Sequence, residues 1–242
     1  SGDGDSASIG LGQFAHCLRR GVNMVYIVEN NGVYGLTKGQ FSATADRGSK
    51  SKRGVINTDN SIDLVAMALQ LGASFVARSF SGDKQQLVPI IKAAIAHKGA
   101  AFIDVISPCV MFNNHAGSTK SFDFVREHNE AVNRLDFISS RMPIEVKYEP
   151  GTVEIVEQHD GSNLALRKLD ADYELHDRAA ALGFLQHHAA KGQIVTGLLY
   201  VEKEPEDLHA HLRTVDAPLN ALGEKELCPG QAALEKFNAS LR

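Results

Sequence analysis

Tryptophan is absent from the 242 residues, cysteine occurs only three times, and neither sign of charge dominates. With 25 basic and 29 acidic residues, the formal net charge of −4 offers no basic surface of the kind that nucleic-acid binding requires. No apolar run approaches the roughly 20 residues of a membrane-spanning helix, and no signal-peptide pattern opens the chain. We therefore expect no nucleic acid, no membrane span and a cytoplasmic protein.

The number and spacing of the three cysteines exclude two further classes of protein. Cys17, Cys109 and Cys228 are far apart, odd in number and never arranged as CxxC. Neither a disulfide framework nor a zinc site built by this sequence alone is expected. Taken alone, each thiol is most simply read as an ordinary packed cysteine.

Hydrophobic patterning predicts an α/β fold with a parallel sheet covered by helices. The predicted helices are 6–20, 61–71, 83–97 and one near 121–134, and the predicted strands are 22–28, 74–79 and 101–106. Between them, residues 30–58 lack any sustained periodicity, and loops of this length in compact domains are usually functional.

The pattern of apolar and polar residues changes near residue 142. Residues 144–148 and 152–158 alternate in polarity around Glu149-Pro150-Gly151, which predicts a hairpin. A helix over 176–190 and a strand over 194–201 are predicted to follow. We therefore assign 1–142 to one domain and 143–242 to a smaller α+β region.

The most informative motif is Gly2-Asp3-Gly4 followed, after residues 5–29, by Asn30-Asn31. One helix and one strand separate the two turns, so both should lie at the same edge of a parallel sheet, where ligands of open α/β folds bind. Carboxylate and amide oxygens suit Mg²⁺, and glycines at a helix N-terminus allow close approach of a diphosphate. The two turns therefore predict a metal–diphosphate site at this edge of the sheet. Since no predicted strand precedes Gly2, we expect that part of the natural polypeptide lies upstream of Ser1.

Other interpretations of these glycines are weaker. Gly-Asp-Gly alone is compatible with a plain surface turn or a calcium loop, but Phe14 stands where a calcium loop beginning at Asp3 needs an acidic residue. Gly10-x-Gly12-x-x-Ala15 imitates a dinucleotide fingerprint, although it falls inside a predicted helix.

Together, Gly2-Asp3-Gly4 and Asn30-Asn31 resemble the thiamine diphosphate motif. The segments 34–40 (YGLTKGQ) and 107–113 (SPCVMFN) are similar to β subunits of 2-oxoacid:ferredoxin oxidoreductases. The likeness runs from residue 2 to about residue 200. It is closest to the 2-oxoglutarate branch through 37–40, 48–52 and 117–121, and it departs at Met111, where Thr is common.

This resemblance implies a set of roles for particular residues. Asp3 and Asn31 would be side-chain metal ligands, Val33 a backbone-carbonyl ligand, and Leu36 and Lys38 pocket residues. Residues implied to bind a cofactor are Gly2, Gly4, Asp5, Asn30, Thr37 and Cys109. Cys109 would be one ligand of a 4Fe–4S cluster whose other ligands lie outside this chain.

The implied activity is oxidative decarboxylation of a 2-oxoacid to acyl-CoA and CO₂, with electrons passed to ferredoxin. An α subunit, ferredoxin, coenzyme A and the 2-oxoacid are the implied partners. The branch resemblance and the Lys38 ammonium favour 2-oxoglutarate. Two alternatives stay open: a non-redox thiamine diphosphate decarboxylase or synthase, which has no use for Cys109, and a non-catalytic binding subunit.

Overall fold

The computed structural model describes residues 1–131, 153–157, 163–167, 173–228 and 230–241, which form a helix-covered sheet and a second compact unit. The strands in chain order are β1 (Met24–Asn30), β2 (Val33–Tyr34), β3 (Gln40–Phe41), β4 (Phe75–Phe80), β5 (Ala100–Ile106), β6 (Asn129–Ala131), β7 (Val153–Glu157), β8 (Asn163–Arg167) and β9 (Ile194–Val201). The α-helices are α1 (Leu11–Arg19), α2 (Leu64–Gln70), α3 (Lys84–Ala96), α4 (Phe122–His128), α5 (Arg178–Ala189), α6 (Leu208–Leu212), α7 (Glu224–Leu227) and α8 (Gln231–Ser240).

The main sheet is mostly parallel, and the predicted fold class is confirmed. Its strand order in the described residues is β1-β5-β4-β9-β6-β8-β7. β5 pairs in parallel with β1 on one side and with β4 on the other, so three strand ends meet at one edge. β9 runs antiparallel to β4, so a strand predicted within the C-terminal region belongs to the same sheet as the first strands. The pair β2–β3 is a separate antiparallel ribbon.

Helices cover both faces of the sheet because its strands are apolar on both faces, as expected for parallel strands. All of β5 is buried. Phe14 of α1 packs edge-to-face on Phe102 of β5, with ring centroids 5.2 Å apart, and α2 and α5 complete this layer. Ile90 of α3 packs on the opposite face.

An ion-pair network stabilises the carboxyl end of β4. Arg78 Nε donates to Asp104 on β5 at 2.8 Å, and another guanidinium nitrogen donates to Asp63 at 2.6 Å. Asp63 is also the N-cap of α2. Burial alone would raise the pKa of Asp63, but the Arg78 charge and the N–H groups of Ala66 and Val65 lower it. Arg78 thus joins a helix N-terminus to the centre of the sheet.

The elements predicted beyond residue 120 lie partly inside and partly outside the described residues. The helix and strand predicted over 176–190 and 194–201 are present as α5 and β9. The helix predicted near 121–134 is present only as α4, and the prediction is wrong at residues 129–131, which form β6 because they pair with β9. The boundary at 142 and the strand and turn over 144–151 lie outside the described residues, so the two-domain division stays a prediction. In the described part of the chain, no helix is long and apolar enough to cross a membrane.

Candidate functional site

The two predicted turns do meet at one edge of the sheet. Gly2 bridges in parallel to Glu29 near the end of β1, and the Glu29 N–H donates to the Ser1 carbonyl at 2.9 Å. This pairing holds Asp3 beside Asn30 and Asn31, which end β1 and begin the following loop. The geometry expected from the spacing of the two motifs is therefore present.

Asp3 is almost fully buried, with 1% of its surface exposed, and is surrounded by donors. Its Oδ2 accepts from the Gly32 N–H at 3.1 Å, from the Thr44 hydroxyl at 2.5 Å and from the Ser42 hydroxyl. The Thr44 hydroxyl also lies 3.0 Å from Asn30 Oδ1. These contacts fix the carboxylate plane and occupy one of its two oxygens.

The second oxygen of Asp3 remains suited to a metal. Oδ1 has one long contact, 3.4 Å from the Asn31 N–H, while Asn31 Oδ1 accepts from the Val33 N–H at 3.0 Å. Together with the backbone carbonyl predicted for Val33, these oxygens form the hard donor set that Mg²⁺ prefers. No cluster of three or more His, Cys, Asp or Glu exists in the described ranges, so a metal here would need diphosphate or water oxygens as well. The residues fit such an ion.

Gly4 has a steric role that the sequence did not suggest. Its φ of −63° and ψ of −39° are open to any residue, but a Cβ there would lie 2.3 Å from a Tyr34 ring carbon. The Tyr34 hydroxyl donates to the Gly4 carbonyl at 3.3 Å. At Gly2 the nearest atom, on Asp5, would be 3.9 Å away. A side chain at position 4 would therefore displace the Tyr34 ring, while Asp5 itself is exposed.

The predicted first helix is broken into two parts. A π-helical turn spans Asp5–Ile9, closed by Gly10 N–H donating to the Asp5 carbonyl, and α1 begins only at Leu11. Gly10 therefore interrupts a helix instead of joining a strand to one, so the dinucleotide fingerprint is excluded.

The loop between β2 and β3 carries three further predicted residues, all exposed. Leu36 is 98% exposed, the Thr37 hydroxyl donates to Gln40 at 2.7 Å, and Lys38 has a φ of +79°, which is uncommon outside glycine. Thr37 and Lys38 line a cleft of about 540 Å³. Its lining also includes Lys52, Arg53 and Phe112 but no carboxylate, so the cleft favours an anion.

The segment after β5 contacts this loop at several points. A Cβ on Gly35 would lie 3.8 Å from the Cys109 sulfur, and one on Gly39 would lie 2.9 Å from Phe112. The Asn113 side-chain amide donates to the Asn31 carbonyl at 2.7 Å. Cys109 thus lies beside the loop that carries Leu36.

Sequence reasoning missed four residues of the site: Gly32, Ser42, Thr44 and Asn113. Ser42 and Thr44 are alternate residues within a long polar loop, and only their contacts with Asp3 distinguish them from other hydroxyl residues there. Asn113 stood inside the family segment 107–113 without an assigned role. Its burial, 1% exposed, could not be inferred from the polar sequence around it.

Comparison with known protein families gives the class of protein to which this site is similar. Residues 1–105 match the family described as thiamine pyrophosphate enzyme, C-terminal TPP binding domain. This stretch contains both turns and most of the Asp3 network, so it supports the thiamine diphosphate prediction.

Curated relatives then confirm the predicted resemblance to 2-oxoacid:ferredoxin oxidoreductase β subunits. The chain is 44% identical over 151 residues to the 2-oxoacid:ferredoxin oxidoreductase subunit beta of Saccharolobus solfataricus, covering 61% of this chain and 47% of that protein. It is 37% identical over 144 residues to the 2-oxoglutarate synthase subunit KorB of Methanocaldococcus jannaschii, covering 57% and 53%. The chain thus spans about half the length of these relatives.

A solved structure is similar over nearly all of the chain. It is a 2-oxoglutarate:ferredoxin oxidoreductase from Magnetococcus marinus with 2-oxoglutarate, coenzyme A and succinyl-CoA bound. The TM-score is 0.65 at 26% identity, covering 93% of this chain and 64% of that chain. The likeness therefore extends beyond the family match into the C-terminal half.

The contact between Gly4 and Tyr34 yields a stability prediction. Gly4→Ala should lower the free energy of unfolding by about 1–3 kcal/mol, because the added methyl group overlaps the ring. Gly12→Ala is the matched control: Gly12 is exposed in α1 with no atom within 4 Å of an added Cβ, so it should be neutral or stabilising by up to about 1 kcal/mol. Urea denaturation of the intact protein measures both. Equal stability of Gly4→Ala and the unaltered protein would refute the steric role.

Proposed function

We propose that this chain is the thiamine-diphosphate-binding part of a 2-oxoacid:ferredoxin oxidoreductase β subunit. The proposed reaction is oxidative decarboxylation of a 2-oxoacid, with 2-oxoglutarate favoured, to acyl-CoA and CO₂, with electrons passed to ferredoxin in the cytoplasm. The observation that carries the proposal is the meeting of Asp3 and Asn31 at the sheet edge, within residues that match a thiamine pyrophosphate family. The names of the relatives support the redox activity.

The proposed task of Asp3 and Asn31 is to hold Mg²⁺ against the diphosphate. Asp3 Oδ2 is held by Gly32, Ser42 and Thr44, so Oδ1 is the oxygen left for the ion. A pre-oriented carboxylate loses little conformational freedom when the metal binds. Gly2, Gly4, Asp5, Asn30 and Thr37 stay proposed cofactor contacts. Thiamine diphosphate, when bound, supplies the carbanion chemistry that decarboxylation of a 2-oxoacid requires.

Cys109 is proposed as one thiolate ligand of a 4Fe–4S cluster. Such clusters commonly need four thiolates, and no group of three or more His, Cys, Asp or Glu that could hold a metal exists among the described residues. The other ligands must therefore come from outside the described residues. The position of Cys109 beside Gly35 favours this function over a non-redox thiamine diphosphate enzyme, which would have no use for a thiol there.

An α subunit is the proposed partner. Activation of the aminopyrimidine needs a carboxylate, and we find no candidate for it among the described residues. Leu36, the residue implied to lie near the reacting end of the cofactor, is 98% exposed. A second subunit over this loop would exclude water from the reacting centre and contribute the missing group.

Asp3→Asn tests the metal site without removing its packing. The amide oxygen can still accept from Gly32, but the negative charge that attracts the ion is lost. We expect thiamine diphosphate affinity in Mg²⁺ buffer to fall about a hundred-fold, measured by calorimetry on the intact protein, with Asn31→Ala less severe. Asp59→Asn, at an exposed acid, is the control. Unchanged affinity of Asp3→Asn would show that the metal assignment is wrong.

Cys109→Ala tests the cluster. In the intact protein, purified anaerobically, this variant should lose iron and sulfide while keeping thiamine diphosphate, because the diphosphate is held at Asp3 and Asn31. Cys17→Ala is the control. Burial raises the pKa of the Cys17 thiol, which lies 3.2 Å from the Phe14 carbonyl within α1, so its removal should leave iron unchanged. Full iron content and a normal EPR spectrum in Cys109→Ala would contradict the ligand role.

Lys38 tests the substrate preference. Its ammonium lines a cleft with two more cations and no carboxylate, which favours a substrate with a second carboxylate. With the complete enzyme, kcat/KM should be higher for 2-oxoglutarate than for pyruvate, and Lys38→Met should reduce that ratio about ten-fold. Lys98→Met, an exposed lysine just before β5, is the control. A preference for pyruvate, or a ratio that Lys38→Met does not change, would refute the assignment.

A further inference from the structure

Asn113 joins the segment after β5 to the turn that carries the proposed metal ligand. Its side-chain Nδ2 donates to the Asn31 carbonyl at 2.7 Å, and its backbone N–H donates to the Cys109 carbonyl at 2.8 Å. A carbonyl oxygen can only accept, so the nitrogen of this amide must face Asn31. The orientation of the side chain is therefore set by its partner.

The same side chain lies directly against Gly32. A Cβ at Gly32 would be 3.1 Å from Asn113 Nδ2, and Gly32 has a φ of +74°, where side chains are disfavoured. The Gly32 N–H is also one of the donors to Asp3. Asn113 thus contacts the peptide group that joins Asn31 to Gly32. The Asn31 side chain is a proposed metal ligand, and the Gly32 N–H donates to Asp3.

Packing alone does not account for an asparagine here. Asn113 is 1% exposed, and its Oδ1 is buried without a hydrogen-bond partner in the described part of the chain. A buried acceptor without a donor costs stability, so an apolar side chain would fill this space at lower cost. What the amide provides is a fixed position for the Asn31 carbonyl.

We propose that Asn113 is a positioning residue for the metal–diphosphate site. By holding the Asn31 carbonyl, it keeps the turn 31–33 in the conformation in which Asn31 Oδ1 and Asp3 Oδ1 face one ion. Asn113 does not touch the ion, and it acts through Asn31. The inference rests on the proposed thiamine diphosphate function.

The test is the Mg²⁺ dependence of thiamine diphosphate binding. Calorimetric titrations of the intact protein at a series of Mg²⁺ concentrations should show that Asn113→Ala raises the half-saturating Mg²⁺ concentration about ten-fold, the effect of losing one buried hydrogen bond. Saturating Mg²⁺ should restore affinity close to that of the unaltered protein. Asn114→Ala is the matched control, because the exposed Asn114 side chain accepts from the Phe122 N–H at 3.0 Å, at the start of α4.

Asn113→Leu supplies a second variant of similar size that lacks the donor and adds no charge, and it should shift the Mg²⁺ dependence in the same direction even if Asn113→Ala does not fold. A purely structural role would lower the melting temperature without moving the half-saturating Mg²⁺ concentration, and that result would overturn the proposal. Absence of thiamine diphosphate binding by the unaltered protein would instead overturn the proposed function itself.

Discussion

Gly32, Ser42 and Thr44 donate hydrogen bonds to the same oxygen of the buried Asp3 carboxylate, and the rest of the site depends on these contacts. An ionised carboxylate is costly to bury unless donors surround it. The surrounding donors come from the loop after β1, so the charge of Asp3 orders that loop. A long polar segment thereby acquires a fixed path at the edge of the sheet.

The ordered loop in turn supports two neighbouring regions. On one side, Asn31 and Gly32 are held against Asp3, where a metal and a diphosphate would bind. On the other side, Gly39 packs closely on Phe112, and Gly35 lies near Cys109. The proposed cluster ligand, Cys109, and the proposed diphosphate anchor therefore both lie against the loop that follows β1.

Much of the fold could be predicted from the sequence because burial leaves a strong pattern. The β1, β4 and β5 strands are apolar runs separated by helix-period segments, and each was predicted to within about two residues. The position of β9 could not be predicted, since strand order depends on pairing between distant segments. β9 pairs antiparallel with β4, but its local sequence pattern is the same as that of a strand in a separate sheet.

The site was predicted in part, for a related reason. Asp3 and Asn31 belong to a motif whose spacing has a topological meaning, so their meeting could be foreseen. The donors that hold Asp3 lie in a loop without periodicity, where position is decided by the carboxylate itself. The role of Gly4 depends on the Tyr34 ring, which is distant in sequence. Contacts of this kind leave no local pattern to detect.

Asp3 and Asn31 are proposed to form a metal-dependent diphosphate anchor. Its most direct test is calorimetric titration of the intact, unaltered protein with thiamine diphosphate, once with Mg²⁺ and once after chelation of divalent ions. Tight binding with Mg²⁺ that is lost on chelation is the predicted result. Binding of equal affinity in both conditions, or no binding in either, would contradict it.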